Sequence, residues 1–331
     1  MKKEMNVWQR LQRNQTAFIL LVLCCLLGGC SARAGAPKSK VETANAEAAA
    51  ASQQRVAVQD GFPFPQIPAV LTSPEERRSY LLAHYWDEYD FADTVLLHKA
   101  EVTEQGLVNY IDLVVSHPDA EEAVGAVDAF CRAVALSDEA RKTMPTLLEK
   151  YLYDPMSPMR NDMLYVQFLN GLLAHAPAAD ARRDRWTFLR DLAGRNNPGQ
   201  RAEDFTFYLP DGTRRTLYGM PSQKLLLLFF YDPECENCHA TLLAMKSSEI
   251  LAQAVQSGQV AVLAVYTEGN PEVWRARLDE MPQDWTVGTD RELIKRKSLY
   301  DLKAMPSLYL LDASKQVLMK DASLEEILAG L

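Results

Sequence analysis

The stretch 225-LLLLFFYDPECENCHATLLAMKSSEIL-251 restricts the fold more than any other part of the chain. Its uninterrupted apolar run, ending at Tyr231, predicts a strand over residues 224–231 covered on both faces. An acidic turn follows, Asp232-Pro233-Glu234, and then Cys235 and Cys238 open a segment in which Leu242, Met245 and Ile250 follow a helical pattern. A strand, a turn and a helix start place the sulfur of Cys235 against unpaired backbone N–H groups at the positive end of a helix, where negative charge on sulfur is favoured. Cys238 falls one turn later, within reach of a mixed disulfide formed on Cys235.

The use of such a pair depends on the compartment, and the N-terminus indicates export. Lys2, Lys3, Arg10 and Arg13 form a basic region ahead of an apolar stretch from Thr16 to Leu27. That stretch is shorter than the ~20 residues a spanning helix needs, so residues 1–29 read as a secretory signal. Leu27-Gly28-Gly29-Cys30 resembles the lipobox of bacterial lipoproteins, which implies lipidation of Cys30 and a membrane anchor. Ser31 and Ala32 follow, with no aspartate; the resemblance then implies an envelope protein facing the periplasm, at the outer membrane in preference to the inner. Loss of the signal changes the net charge from −9 to −12. An acidic chain without a basic stripe is not a nucleic-acid binder.

Of the six cysteines, Cys24 and Cys25 leave with the signal and Cys30 carries lipid. Cys131 recurs with Val124, Val127 and Val134 at helical spacing and reads as a small buried apolar residue. Cys235 and Cys238 remain, in an oxidising compartment.

Residues 30–60, rich in Ala, Ser, Gln and Lys, read as a flexible tether. Phe62-Pro63-Phe64-Pro65 gives an extended lead-in. Ser73-Pro74-Glu75-Glu76 is a helix start with a capping box, and further helical patterns begin near Asp119, Asp138, Met159 and Ala181. Residues 61–195 are therefore expected to form an all-helical domain, with about five helices in 73–193. Its aromatic-rich segment (Tyr80, Leu81, Tyr85, Trp86, Tyr89) reads as core, and His84, His98, His117 and His175 match no metal spacing. Residues 68–94 are similar to an uncharacterised domain found ahead of thioredoxin-like domains in Gram-negative envelope lipoproteins.

After Asn196-Asn197-Pro198-Gly199 the pattern changes to β-β-α-β-α-β-β-α. Strands are expected at 205–209, 224–231, 260–266, 306–311 and 316–319, with a hairpin signal at Asp211-Gly212 and a last helix capped by Ser323. Residues 199–331 resemble the thioredoxin fold, most closely the TlpA/ResA-like thiol–disulfide oxidoreductases. The resemblance lies in Ala202-Glu203-Asp204-Phe205, the hairpin, the C-x-x-C after the central strand, and Met305-Pro306 in Ala-Met-Pro-Ser-Leu-Tyr-Leu.

The fold class is thus multidomain: an all-α N-terminal domain, then an α/β thioredoxin-like fold with a central mixed sheet flanked by helices. The resemblance implies that Cys235 and Cys238 exchange disulfides with client proteins, reduction being favoured, with electrons from a membrane donor and no cofactor. It also implies a cis Pro306 against the pair, with the backbone of Met305 pairing with substrate. Three positions depart from the family: Glu234 replaces a tryptophan, Asn237 a frequent proline, and Phe229 the buried acid that accepts the resolving thiol's proton. Asp232, Glu234 and Glu236 oppose the helix start with effects of comparable size, ~0.2–1 against ~0.3–1 kcal/mol.

Zinc is disfavoured, since Cys235, Cys238 and His239 supply three crowded ligands and no second pair exists. The spacing of a peroxiredoxin motif is also absent. The alternative is a static disulfide in a scaffold, with the helical domain as a binding module.

Overall fold

The computed structural model describes residues 61–117, 119–221 and 224–331. The signal (1–29), Cys30 and the tether (30–60) lie outside the described residues.

The helical half follows its capping residues. Helix α1 (Pro74–His84) starts at Ser73, whose side chain accepts from the N–H groups of Glu75 and Glu76 while Glu76 closes the capping box. A short α2 (Thr94–Leu97) and the long α3 (Ala100–Val115) follow. Asp119 caps α4 (Ala120–Ala135), Ser137 caps α5 (Asp138–Leu148), which ends in a π-turn at Glu149–Tyr153, and Asn161 caps α6 (Asp162–His175). Helix α7 spans Arg183–Ala193.

The sequence pattern misses α2 and α3. Lys99, at the start of α3, makes no side-chain cap, and Gly106 interrupts the helical pattern. The glycine is needed for packing: a Cβ there would lie 2.2 Å from Cδ2 of Phe62. Phe62 brings the lead-in onto Tyr85, Trp86 and Tyr89, and with Phe130 and Phe168 these aromatic side chains form the helical core. The aromatic segment is therefore interior packing, each large apolar side chain worth ~1.5–3 kcal/mol when fully buried.

The second half is a seven-stranded sheet in the order β2-β1-β5-β4-β3-β6-β7. Its strands are β1 (Thr206–Tyr208), β2 (Arg214–Thr216), β3 (Leu225–Tyr231), β4 (Val260–Tyr266), β5 (Thr286–Thr289), β6 (Ser307–Asp312) and β7 (Val317–Lys320). Helices α8 (Glu236–Ser247) and α9 (Glu249–Gln256) follow β3; α10 (Pro271–Ala276), α11 (Leu293–Arg296) and α12 (Leu324–Ala329) complete the set. The sheet is mixed, with β3 parallel to β4 and antiparallel to β6, as a thioredoxin-like fold requires.

Strand β3 is covered on both faces. Leu227, Phe229 and Tyr231 pack with Cys238, Leu242 and Met245, while Leu226, Leu228 and Phe230 pack with Phe205, Tyr300 and Tyr309. This two-residue alternation within an all-apolar run is how a central strand fills two cores.

The Asp211-Gly212 hairpin signal is met by β1 pairing antiparallel with β2, and β5 goes beyond the sequence pattern. Strand β2 is a three-residue edge with exposed arginines. Strand β5 contains Gly288, which reads as a breaker, but a Cβ there would meet Cδ2 of Phe207 at 2.6 Å. The glycine allows β5 to pack tightly beside β1. Among the described residues no helix is long and apolar enough to cross a membrane.

Candidate active site

The turn after β3 is built by its own backbone. The N–H of Glu234 donates to Oδ1 of Asp232 at 3.0 Å, and the N–H of Cys235 donates to the Asp232 carbonyl at 3.1 Å. Cys235 is thereby the N-cap of α8, in extended backbone, and its sulfur accepts from the N–H of Cys238 at 3.4 Å. A cysteine occupies the place usually taken by Ser or Asp, so one orphan donor of the helix points at a sulfur.

The two thiols differ in environment. Cys235 is half-buried, whereas Cys238 is buried and its sulfur accepts from the N–H of Asp232 at 3.4 Å. Burial pushes the Cys238 thiol up to about 12; Cys235 and the Asp232 carboxylate push the same way, and the Asp232 N–H partly offsets them. Both cysteines, and Cys131, are free thiols.

Met305 approaches from the other side of the sheet's end. The sulfur of Cys235 lies 3.6 Å from its carbonyl oxygen, in S–H donor geometry, and the Met305–Pro306 peptide is cis. The structure thus brings Cys235, Cys238 and Met305-Pro306 together at the carboxyl end of β3.

The three departures have distinct surroundings. Phe229 is fully buried and stacks on Tyr231, with ring centroids 5.2 Å apart, on the face that also holds Cys238. An apolar ring therefore fills the place of the family's acid. The Asp232 carboxylate, from the same turn, is a charge that raises the Cys238 thiol. Glu234 and Asn237 sit in the exposed turn and first helical turn.

His239 lies 3.9 Å from the Glu280 carboxylate, and among the described residues no three His, Cys, Asp or Glu side chains gather as a metal set. The other histidines each face one carboxylate: His84 that of Asp87, His98 that of Glu139, His117 that of Glu122 and His175 that of Asp128. Cys131 is fully buried in the helical core, its S–H directed to the Phe168 carbonyl at 3.3 Å.

Sequence reasoning missed the neighbours that shape the site. The indole N–H of Trp274 donates to the Tyr231 hydroxyl at 3.1 Å, inside the cluster that buries Cys238. The phase of β3, which puts Tyr231 on the same side as Phe229, was a usable signal for it. Arg160 and Asp162 of the helical half pair with Asp321 and Lys303, and no local pattern announces partners so far along the chain.

The model for a domain of unknown function, DUF5106, matches residues 29–196. Among solved structures the chain is similar to a thioredoxin-like protein from Bacteroides caccae, 36% identical over 81% of this chain and 97% of that one, with a TM-score of 0.72. It is also similar to the C-terminal domain of an uncharacterized protein from Bacteroides fragilis, 36% identical over 41% of this chain and 97% of that one, TM-score 0.40. A conserved protein of unknown function from the same species is 35% identical over 40% of this chain and 98% of that one, TM-score 0.39. No curated protein matches.

Proposed function

This chain belongs to the DUF5106 family and to the thioredoxin-like proteins, and we propose on that premise that it is a thiol–disulfide oxidoreductase acting on protein disulfides in the cell envelope. The observation that carries this reading is the constellation at the end of β3: a half-buried Cys235 thiol capping α8, Cys238 buried one turn behind it, and the Met305 carbonyl 3.6 Å from the Cys235 sulfur.

The chemistry runs in two displacements. Cys235 loses its proton to solvent and its thiolate attacks one sulfur of a client disulfide. The client S–S bond breaks, a Cys235–client disulfide forms, and the other client sulfur departs as a thiolate that takes up a proton. Cys238 then loses its proton to solvent and attacks the Cys235 sulfur, forming the Cys235–Cys238 disulfide and expelling the second client thiolate, which takes up a proton from solvent. Two electrons pass to the client, and a dithiol donor in the membrane restores the reduced pair. The backbone of Met305, ahead of Pro306, pairs with the client chain. Cys30 carries the lipid that holds the protein in the envelope, facing the periplasm at the outer membrane.

Serine substitutions in the full chain test the reading. Cys238→Ser should accumulate mixed disulfides with envelope proteins, resolved on non-reducing gels, and Cys235→Ser should accumulate none. Equal behaviour of both variants and wild type would leave the pair without an exchange role.

A further inference from the structure

The loop that carries Met305 and Pro306 is held on both sides by two residues of the helical half. On one side the Lys303 ammonium, two residues before Met305, donates to Oδ1 of Asp162 at 2.6 Å, with both side chains largely buried. On the other side the Ser307 hydroxyl, next to Pro306, donates to Oδ1 of Asp321 at 2.9 Å. Arg160 grips Asp321 twice, at its Oδ2 and at its backbone carbonyl, each at 2.8 Å. Between Arg160 and Asp162 stands Asn161, the N-cap of α6, so both grips come from one rigid helix start.

The grip is anchored further. Lys320 pairs with Oδ2 of Asp162 at 2.8 Å and donates to the carbonyls of Ala193 and Arg195 at 2.9 and 3.0 Å. These contacts lie inside one compact unit, Gln59–Leu331. Desolvated ion pairs gain little over apolar packing of the same shape, and their best-attested use is to fix one register. Here the fixed register is that of the loop whose carbonyl stands against Cys235. Apolar residues would have packed the two halves equally well without setting that position.

We propose that Arg160 and Asp162 are positioning residues that hold the Met305–Pro306 loop against Cys235, which makes the DUF5106 half a working part of client recognition. The inference rests on the exchange activity proposed above, and it gives the helical half a role other than that of an independent binding module. Arg160 touches no client; it acts through Asp321 and Ser307 on the loop.

The test uses the full chain with insulin as the protein disulfide and dithiothreitol as the reductant. Arg160→Ala is compared with Arg160→Lys and with the pair Arg160→Gln/Asp321→Asn, which leaves no charge unpaired and so keeps the test open if Arg160→Ala misfolds. Misplacing a binding element raises KM, so Arg160→Ala and the neutral pair should each raise KM for insulin about tenfold with kcat within about twofold. The glutathione midpoint of the Cys235/Cys238 pair should match wild type, and Arg160→Lys should recover most of the loss. An unchanged KM in the folded neutral pair overturns the proposal, as does a loss of kcat and KM together that only follows the melting temperatures. A wild-type chain that reduces no insulin and shows no reversible midpoint overturns the exchange activity itself, and the clamp with it.

Discussion

The sulfur of Cys235 and the carbonyl oxygen of Met305 stand 3.6 Å apart across 70 positions of sequence. Strand register produces this approach. Phe230 of β3 pairs with Ser307 of β6, so the turn leaving β3 and the loop entering β6 meet at one end of the sheet. A slip of one residue would turn the faces of β3 over and separate them.

Burial alone sets an order of thiol reactivity. With the native reduced chain and iodoacetamide, Cys235 should be alkylated first, Cys238 much more slowly and Cys131 only on unfolding, as read by peptide mass. Cys235 is half-exposed and Cys238 is buried with its thiol raised to about 12. Cys131 is fully buried in the helical core, where burial pushes its thiol still higher. Alkylation of Cys131 at the rate of Cys235 would contradict the placement.

The resolving step should depend steeply on pH. Cys238 attacks as thiolate, and a thiol near 12 is almost wholly protonated at neutral pH. The rate of release from a Cys235 mixed disulfide should therefore rise about tenfold per pH unit between pH ~6 and ~9. The sign for stability is opposite. Below the ordinary thiol range, ~8.5, the folded and unfolded states both hold the proton. As pH rises from there toward about 12, the unfolded thiol ionises first and stability is lost. Reduced wild type should lose urea resistance over that range to a greater degree than Cys238→Ser.

The central strand, the C-x-x-C turn, the capping boxes at Ser73 and Ser323 and the proline loop were legible because each is written in adjacent residues. The missing strand β5 and helix α3 were not, because Gly288 and Gly106 read locally as breakers. Their purpose is to admit Phe207 and Phe62, which lie far away in sequence. Phe229 was legible as a departure, but the sequence left open whether another carboxylate would serve Cys238. In the fold the Cys238 sulfur accepts from the backbone N–H of Asp232, while the Asp232 carboxylate accepts from the N–H of Glu234 and its charge raises the thiol. The Arg160 and Asp162 contacts depend on tertiary packing and leave no trace in periodicity.

The two glycines give a direct check on packing. Gly106→Ala should displace the Phe62 ring, and Gly288→Ala should push against Phe207 and the backbone oxygen of Tyr208 at 3.0 Å. Each should cost ~1–3 kcal/mol in urea denaturation. Gly61, where an added Cβ would meet nothing within 4 Å, should tolerate alanine within ~0.5 kcal/mol.

The exchange activity is tested most directly by equilibrating the full chain with glutathione buffers and counting free thiols on Cys235 and Cys238 by alkylation and mass. The expected result is a reversible two-electron couple with a midpoint near the ~−270 mV of a reducing thioredoxin. A midpoint near ~−120 mV would reverse the direction of electron flow. A pair that stays oxidised well below ~−300 mV would be a structural staple and would contradict an exchange role.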